Sequence, residues 1–100
     1  MGCRIVLERT TAHVYDCTVS ERNGTPVFVF DWAELAPFLA EAELFAVHTP
    51  DGVYHIPRPR LVRRGQRVTT PVGDWFYVPV SVCAREQDTT RETTIPETAR

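Results

Sequence analysis

The sequence predicts an α+β fold in which a mainly antiparallel, strongly twisted sheet of five or six strands carries one kinked helix. Apolar and polar residues alternate along the first and last thirds of the chain, turn sequences separate the alternating segments, and an acidic segment between them has helical spacing. The predicted order is β-β-β-α-β-β-β, which also permits a partly closed barrel. At 100 residues, 43% apolar and 24% charged, the chain has the composition of one globular domain.

Alternation predicts the first three strands. Apolar residues alternate with charged ones from Arg4 to Glu8, and a second alternating segment runs from His13 to Val19. The pair Asn23-Gly24 suits the positive φ angles of a type I′ turn, so a hairpin follows. Its register places Val19 opposite Phe28 on an apolar face.

The segment from Asp31 to Leu44 has the spacing of an amphipathic helix. Asp31 is followed by Glu34 three positions later, a pattern similar to a capping box. Pro37 lacks the backbone N–H that would bond to Ala33, so we expect a kink or a second helix that begins near Pro37. The apolar residues that recur at helical spacing are Trp32, Leu35, Phe38, Leu39 and Ala42.

Two turns that contain proline and glycine predict two more hairpins. The strands they join are expected at 44–49 and 53–56, then at 66–70 and from 74 to about 83. In the last hairpin, a loop at 71–73 pairs Thr69 with Trp75 and Arg67 with Tyr77. Arg67, Trp75 and Tyr77 would then share the face opposite the core.

One domain at 1–84 is expected, with a tail at 85–100. Threonines and charged residues predominate in the tail, so it buries too little apolar surface to offset the entropy of ordering and is expected to be disordered or loosely packed. The expected core draws on the first three strands, the helix and the last hairpin: Ile5, Leu7, Tyr15, Val19, Phe28, Phe30, Leu35, Phe38, Leu39, Val68, Phe76, Val78, Val80 and Val82.

The net charge of −2 hides a polarised distribution. Five acids and no arginine lie from Asp31 to Asp51, whereas five arginines and no acid lie from Arg58 to Arg67. All eleven basic residues are arginine. The three cysteines are far apart and odd in number, which favours reduced thiols and a cytoplasmic protein. No apolar run reaches membrane-spanning length, so we expect no membrane partner.

The histidines of the central hairpin raise the question of a metal site. A two-residue Asp-Gly loop would place His48 opposite His55, where both could bind Zn²⁺ together with His13 or a cysteine. A three-residue Pro-Asp-Gly loop would pair His48 with Tyr54 and send the histidines to opposite faces. We favour polar strand residues or a pH-sensitive contact, and predict neither a metal site nor a cofactor.

The sequence shows no arrangement of nucleophile, base and acid. Cys17 falls on the predicted apolar face, where a thiol is inert, and Cys83 ends the last strand. Glu41 and Glu43 are neighbours in sequence but do not share a helix face. The sequence therefore predicts a protein without enzymatic activity.

The strongest candidate site combines clustered arginines with two aromatic residues. Guanidinium groups bind carboxylate or phosphate through two parallel hydrogen bonds, and aromatic side chains anchor protein interfaces or stack on bases. Pro57 and Pro59 favour an extended start, so we expect a β-ribbon or loop to carry the arginines. The predicted partner-binding residues are Arg58, Arg60, Arg63, Arg64, Arg67, Trp75 and Tyr77.

These features predict a small accessory protein of bacterial or phage type that occupies the surface of a protein partner. The alternative is direct binding of nucleic acid by the same ribbon. The separate acidic and basic segments also permit a homo-oligomer in which opposite charges meet.

Overall fold

The structure, a computed structural model, describes residues 3–86. Nine strands are present there: β1 (Arg4–Glu8), β2 (Thr11–Tyr15), β3 (Thr18–Arg22), β4 (Thr25–Asp31), β5 (Leu44–Thr49), β6 (Gly52–Pro57), β7 (Gln66–Thr70), β8 (Gly73–Pro79) and β9 (Ala84–Arg85). The helical segments are α1 (Trp32–Leu35), α2 (Arg58–Arg64) and two short 3₁₀ helices at Ala36–Leu39 and Val80–Val82.

The strands form two sheets. Sheet A has the order β1-β2-β5-β6-β9 and sheet B the order β3-β4-β8-β7. All neighbouring pairs are antiparallel except β2 and β5, which are parallel. The predicted α+β domain of mainly antiparallel strands is confirmed, but the single sheet and the predicted element order are wrong. Neither sheet closes into a barrel within residues 3–86.

The division into two sheets begins at Asp16. Its φ of 61° lies in the left-handed region, which aspartate tolerates better than most residues. The predicted continuous strand from His13 to Val19 is therefore two strands, of which β2 joins sheet A and β3 joins sheet B. Val19 pairs with Phe28 as predicted but lies at the edge of sheet B, where it is 53% exposed, so its assignment to the core is wrong.

The Asn23-Gly24 turn is confirmed. Both residues have positive φ, 54° and 81°, and Arg22 pairs with Thr25 directly outside the turn. These are the angles that a two-residue hairpin loop with right-handed strand twist requires.

The predicted helix start at Asp31 is also confirmed. The Asp31 carboxylate accepts a 3.0 Å hydrogen bond from the backbone N–H of Ala33. The α-helix lasts four residues, and Pro37 lies in the first turn of the 3₁₀ helix that follows. The helical segment ends at Leu39 rather than Leu44, because Leu44 already belongs to β5.

Two hairpins share a Thr-Pro-x-Gly turn that the sequence analysis placed one residue off register. The loops are Pro50-Asp51 and Pro71-Val72, flanked by the pairs Thr49 with Gly52 and Thr70 with Gly73. In both turns the threonine hydroxyl donates a 2.8 Å hydrogen bond to the glycine carbonyl. It also accepts one from the backbone N–H two residues later. This side-chain closure fixes a two-residue loop.

The shorter loops change which side chains share a face. Val68 pairs with Trp75 and Arg67 with Phe76, so the predicted shared face of Arg67 with Trp75 and Tyr77 is wrong. For the same reason Val68 does not face the core as predicted. In the other hairpin Ala46 pairs with His55 and His48 with Val53, a register that differs from both predicted alternatives.

The arginine segment is helical, which corrects the prediction of an extended ribbon or loop. Pro57 ends β6 with φ −66° and ψ 148° and immediately precedes α2. Pro59 lies in the first helical turn, where the missing N–H would have had no partner in the helix. Leu61 is fully buried, and its carbonyl accepts a 2.9 Å hydrogen bond from Gly65 N–H.

The core lies between the sheets as one apolar cluster. It contains the predicted residues Phe28, Phe30, Leu35, Phe76 and Val78, all buried. The predicted Ile5, Leu7, Phe38, Leu39, Val80 and Val82 pack against it while partly buried, with the two valines in a 3₁₀ helix rather than in a strand. Tyr15 is on the outer face of sheet A, so its placement in the core is wrong.

Sequence periodicity missed a second group of core residues, which includes Ala12, Val14, Phe45, Val47, Ile56 and Leu61. Of the predicted tail, residues 87–100 lie outside the described residues, whereas Arg85 pairs with Tyr54 as part of β9. No helix in the described part of the chain is long and apolar enough to cross a membrane.

Candidate functional site

Arg58 has an internal structural role. Its Nη1 atom donates hydrogen bonds to the carbonyl oxygens of Leu39, at 3.3 Å, and Ala42, at 3.2 Å. Leu39 is the last residue of the 3₁₀ helix, where helix carbonyls lack intrahelical partners, and Ala42 lies between that helix and β5. Arg58 therefore joins α2 to that segment, and its side chain is committed within the fold.

Arg67 is also bound within the fold. Its Nη2 atom donates a 2.7 Å hydrogen bond to Oδ2 of Asp74, and its guanidinium carbon lies 4.7 Å from the centroid of the Trp32 ring. The bond to Arg67 is the main reason that the pKa of Asp74 is below its ordinary value, with a smaller contribution from Thr69. Arg67 thus belongs to a contact between β7, β8 and α1.

The other three predicted arginines line one cavity. Arg60, Arg63 and Arg64 have the i, i+3, i+4 spacing that places side chains on one side of a helix. All three are exposed, and none makes an ion pair or side-chain hydrogen bond with another residue in 3–86. With Ser81, Val82, Cys83 and Ala84 they line an open cavity of about 590 Å³.

Cys83 in the wall of this cavity is not an activated nucleophile. Burial raises the pKa of its thiol to about 11, although nearby Arg60 acts in the opposite direction. A thiol with so high a pKa stays protonated near neutral pH. The charge of the cavity accordingly comes from its three arginines.

Trp75 and Tyr77 lie on the outer face of sheet B, on the side away from the buried Phe76 and Val78. Both are half-buried, and Trp75 Nε1 donates a 3.2 Å hydrogen bond to the Thr70 hydroxyl. Together with Thr18, Ser20 and Val29 they line a cavity of about 290 Å³. The aromatic pair thus faces away from the core, as the alternation in β8 predicts.

A third cavity connects the arginines with the aromatic pair. It measures about 260 Å³, and it shares Arg64 with the arginine cavity and Tyr77 with the aromatic cavity. Arg22 lines it as well, with its guanidinium carbon 4.5 Å from the centroid of the Tyr77 ring. We call the surface formed by these three neighbouring cavities the Arg–aromatic groove, with Arg22, Arg60, Arg63, Arg64, Trp75 and Tyr77 among its lining residues.

The sequence analysis missed Arg22. It lies on β3, and β4 separates it from Tyr77 on β8. Only the order of strands in sheet B brings the two together, and no local pattern in the sequence encodes that order.

A second polar cluster lies on the outer face of sheet A. His13 Nδ1 is 3.0 Å from His48 Nε2, and His13 Nε2 is 3.3 Å from a Glu8 carboxylate oxygen. Tyr15 stacks on His48 with centroids 4.5 Å apart, and the Arg4 guanidinium lies 4.5 Å from the Tyr15 centroid. Partial burial, followed by neighbouring His13, lowers the pKa of His48.

This cluster pairs His48 with His13, whereas the sequence analysis considered His48 chiefly with His55. Because β2 and β5 are parallel neighbours, His13 lies beside Ala46 and comes within reach of His48. Two imidazoles and a carboxylate then form a chain of contacts. Within residues 3–86, no group of three or more His, Cys, Asp or Glu side chains is placed to hold a metal ion.

No protein-family model matches the chain, and neither a curated protein nor a solved structure is significantly similar to it.

Proposed function

We propose that this chain is a non-enzymatic binding protein whose Arg–aromatic groove docks an acidic segment of a protein partner. The observation that carries the proposal is that the three cavities of the groove share lining residues. Three arginines without partners among residues 3–86 connect, through Arg64 and Tyr77, with an outward aromatic pair.

The contrast among the arginines supports this role. Arg58 and Arg67 bind carbonyl and carboxylate oxygens of the protein itself, so their positive charge stabilises the fold. Arg60, Arg63 and Arg64 have no such partner within the described chain. Guanidinium groups bind carboxylates bidentately, so three on one helix face suit a partner that presents several acidic side chains.

The aromatic end of the groove supplies apolar anchors. Trp, Tyr and Arg are the residues most enriched among those that dominate the binding energy of protein interfaces. Trp75 and Tyr77 are held by a hydrogen bond and a cation–π contact, respectively, so little side-chain freedom is lost on binding.

Binding of single-stranded nucleic acid is the second candidate. Trp75 and Tyr77 alternate outward along β8 and are flanked by arginines, an arrangement on which successive bases stack in other proteins. We favour a protein partner because the Arg22 guanidinium already lies over the ring of Tyr77, and because the net charge is −2. Strong nucleic-acid binding usually draws on a larger excess of positive charge.

The small size and the exclusive use of arginine favour an accessory protein of bacterial or phage type that acts in the cytoplasm. By covering an acidic surface of a protein partner, the chain could inhibit that partner. Such a surface resembles a nucleic-acid backbone in its negative charge. The acidic segment at 31–51 also provides a surface through which a second copy could occupy the groove.

The test is isothermal titration calorimetry, with an oligoglutamate peptide and with single-stranded oligothymidylate as separate probes. The double variant Arg63→Ala/Arg64→Ala and the single variant Trp75→Ala should weaken peptide binding at least tenfold. Arg4→Ala is the control, because it removes one positive charge from the outer face of sheet A, outside the groove. Equal weakening by Arg4→Ala would indicate nonspecific charge attraction.

The nucleic-acid probe separates the two candidates. Tight oligothymidylate binding that falls steeply with salt and is lost in Trp75→Ala would support the second candidate over the first. Failure of both probes to bind at low salt would contradict an anion-binding groove altogether.

A further inference from the structure

We propose that Cys3 and Cys17 are a redox pair that closes to an intramolecular disulfide when the protein meets hydrogen peroxide. The two sulfur atoms lie beside the same backbone oxygen. Cys3 Sγ is 3.6 Å and Cys17 Sγ 3.4 Å from the carbonyl oxygen of Val29. Both residues belong to the same apolar core region and are free thiols in this structure.

The β1–β2 hairpin explains why the two cysteines meet. Arg4 and Tyr15 are the last paired residues at its open end, Cys3 precedes Arg4 directly, and Cys17 follows Tyr15 by two positions. Extended by one pair, this register places Cys3 opposite Asp16, so Cys17 is the diagonal neighbour of Cys3, and the two sulfur atoms approach the same carbonyl oxygen. The left-handed φ of Asp16 redirects the chain so that the Cys17 side chain packs against the core beside Cys3.

The surroundings assign different roles to the two thiols. A hydrogen bond between them lowers the pKa of Cys3 and raises that of Cys17, the latter also being raised by burial. Of the two thiols, Cys3 therefore ionises more readily, and thiolates are the reactive form. Only 8% of Cys3 is exposed, so a small oxidant such as hydrogen peroxide suits the site.

The reaction balances in two steps. The Cys3 thiolate attacks one peroxide oxygen, the O–O bond breaks, and the hydroxide that leaves takes up a proton, so Cys3 becomes a sulfenic acid and one water is released. The Cys17 sulfur then displaces the hydroxyl group from Cys3, and this group leaves as a second water with the Cys17 proton. In total, the two thiols lose two electrons and two protons, and one peroxide is reduced to two waters.

The disulfide would join the start of sheet A to the crossover into sheet B. Thr18 follows Cys17 directly, and Thr18 and Val29 both line the aromatic cavity beside Trp75. Oxidation would thus fix one wall of the groove, a consequence that rests on the proposed function. The formation of the disulfide does not depend on that function, so the two can fail separately.

The test is peroxide treatment of the full chain, followed by alkylation of the remaining thiols, trypsin digestion and mass spectrometry. Cleavage after Arg4, Arg9 and Arg22 places Cys3 and Cys17 on different peptides, and Cys83 falls on a third. We expect the first two peptides to be joined, with only Cys83 alkylated. Dithiothreitol should restore alkylation at all three cysteines.

Two variants sharpen the result. Cys83→Ala should form the same disulfide at an unchanged rate. Cys17→Ala should leave Cys3 to accumulate as sulfenic and sulfinic acid. A predominant bond between Cys17 and Cys83, a rate that rises with protein concentration, or three alkylated cysteines after peroxide treatment would each overturn the proposal. Because the peptide map uses the wild-type chain, the conclusion does not require either variant to fold.

Discussion

Arg67 donates a 2.7 Å hydrogen bond to Asp74 diagonally across the β7–β8 hairpin, while its guanidinium lies over the ring of Trp32. The arginines of this short segment are of two kinds, those that bond within the fold and those that line a cavity. Arg67 and Arg58 hold strands and helices together, and the three arginines between them face a cavity. The clustering that is visible in the sequence therefore serves two purposes.

The Arg67–Asp74 contact predicts a pKa change. The bond from Arg67 is the main cause of the low pKa of Asp74, so Arg67→Gln should raise that pKa toward its ordinary value. A carboxylate whose pKa is lowered by folding adds stability above its unfolded pKa, and that stability is lost as the pH falls through the folded pKa. The Asp74 carboxyl can be titrated by NMR in both proteins, and an unchanged midpoint would show that Thr69 is the controlling partner.

Arg58→Ala should reduce the free energy of unfolding by about 1–3 kcal/mol, because two partly buried carbonyl oxygens lose a charged donor. Arg60→Ala, two positions along the same helix, removes an exposed side chain and should change stability by less than about 0.5 kcal/mol. Urea denaturation of both variants measures the difference. Equal effects would mean that Arg58 contributes only helix propensity.

Gly65 is required for space rather than for backbone conformation. Its φ of −81° suits any residue, but a Cβ atom there would overlap the Phe76 ring and lie 2.8 Å from the Leu61 carbonyl oxygen. Gly65→Ala should therefore cost about 1–3 kcal/mol by overpacking. Phe76→Leu should recover part of that cost when the two changes are combined, as a double-mutant cycle would show.

Gly24→Ala provides the contrast. A Cβ atom at Gly24 meets nothing within 4 Å, but its φ of 81° is strained for alanine by about 1–2 kcal/mol. That cost arises from the backbone, so Phe76→Leu should add to it independently. If Phe76→Leu relieved both variants equally, the crowding at Gly65 would not be the cause.

Local chemistry that leaves a signature in the sequence could be predicted. Asn23-Gly24 fixes a two-residue turn through its own backbone preference, and Asp31 caps α1 through its own side chain. The two Thr-Pro-x-Gly turns could not be assigned from proline and glycine alone, because the threonine hydroxyl closes them. A shift of one residue then exchanges the faces of Arg67 and Val68.

The groove itself depends on long-range pairing. Arg60, Arg63, Arg64, Trp75 and Tyr77 were identified from residue type, since clustered arginine and outward aromatics are visible locally. Their connection through Arg64 and Tyr77 requires α2 to pack beside β8, and Arg22 joins only because β3 and β8 both flank β4. Asp16 has a left-handed backbone conformation where the two sheets divide, but apolar and polar residues go on alternating through this position. The alternation therefore could not predict the division into two sheets.

The His13–His48 contact predicts that stability depends on pH. Burial and the neighbouring imidazole lower the pKa of His48 below its ordinary 6.5, against a smaller opposing effect of Glu86. The groups that face this pair are Glu8, which contacts His13, together with Tyr15, Arg4 and His55. Since the unfolded chain binds the proton more readily, stability is complete above pH 6.5 and falls as the pH drops toward the folded pKa.

Urea denaturation between pH 8 and pH 5 measures this dependence. His48→Gln should flatten it, because the side chain that gains a proton on unfolding is gone, whereas His55→Gln should leave most of it in place. The two substitutions are matched, since both residues lie on the outer face of sheet A in the same hairpin. If the stability of His48→Gln still depended on pH in the same way, another group would be responsible for the titration. A protein that became more stable on acidification would contradict the lowered pKa of His48.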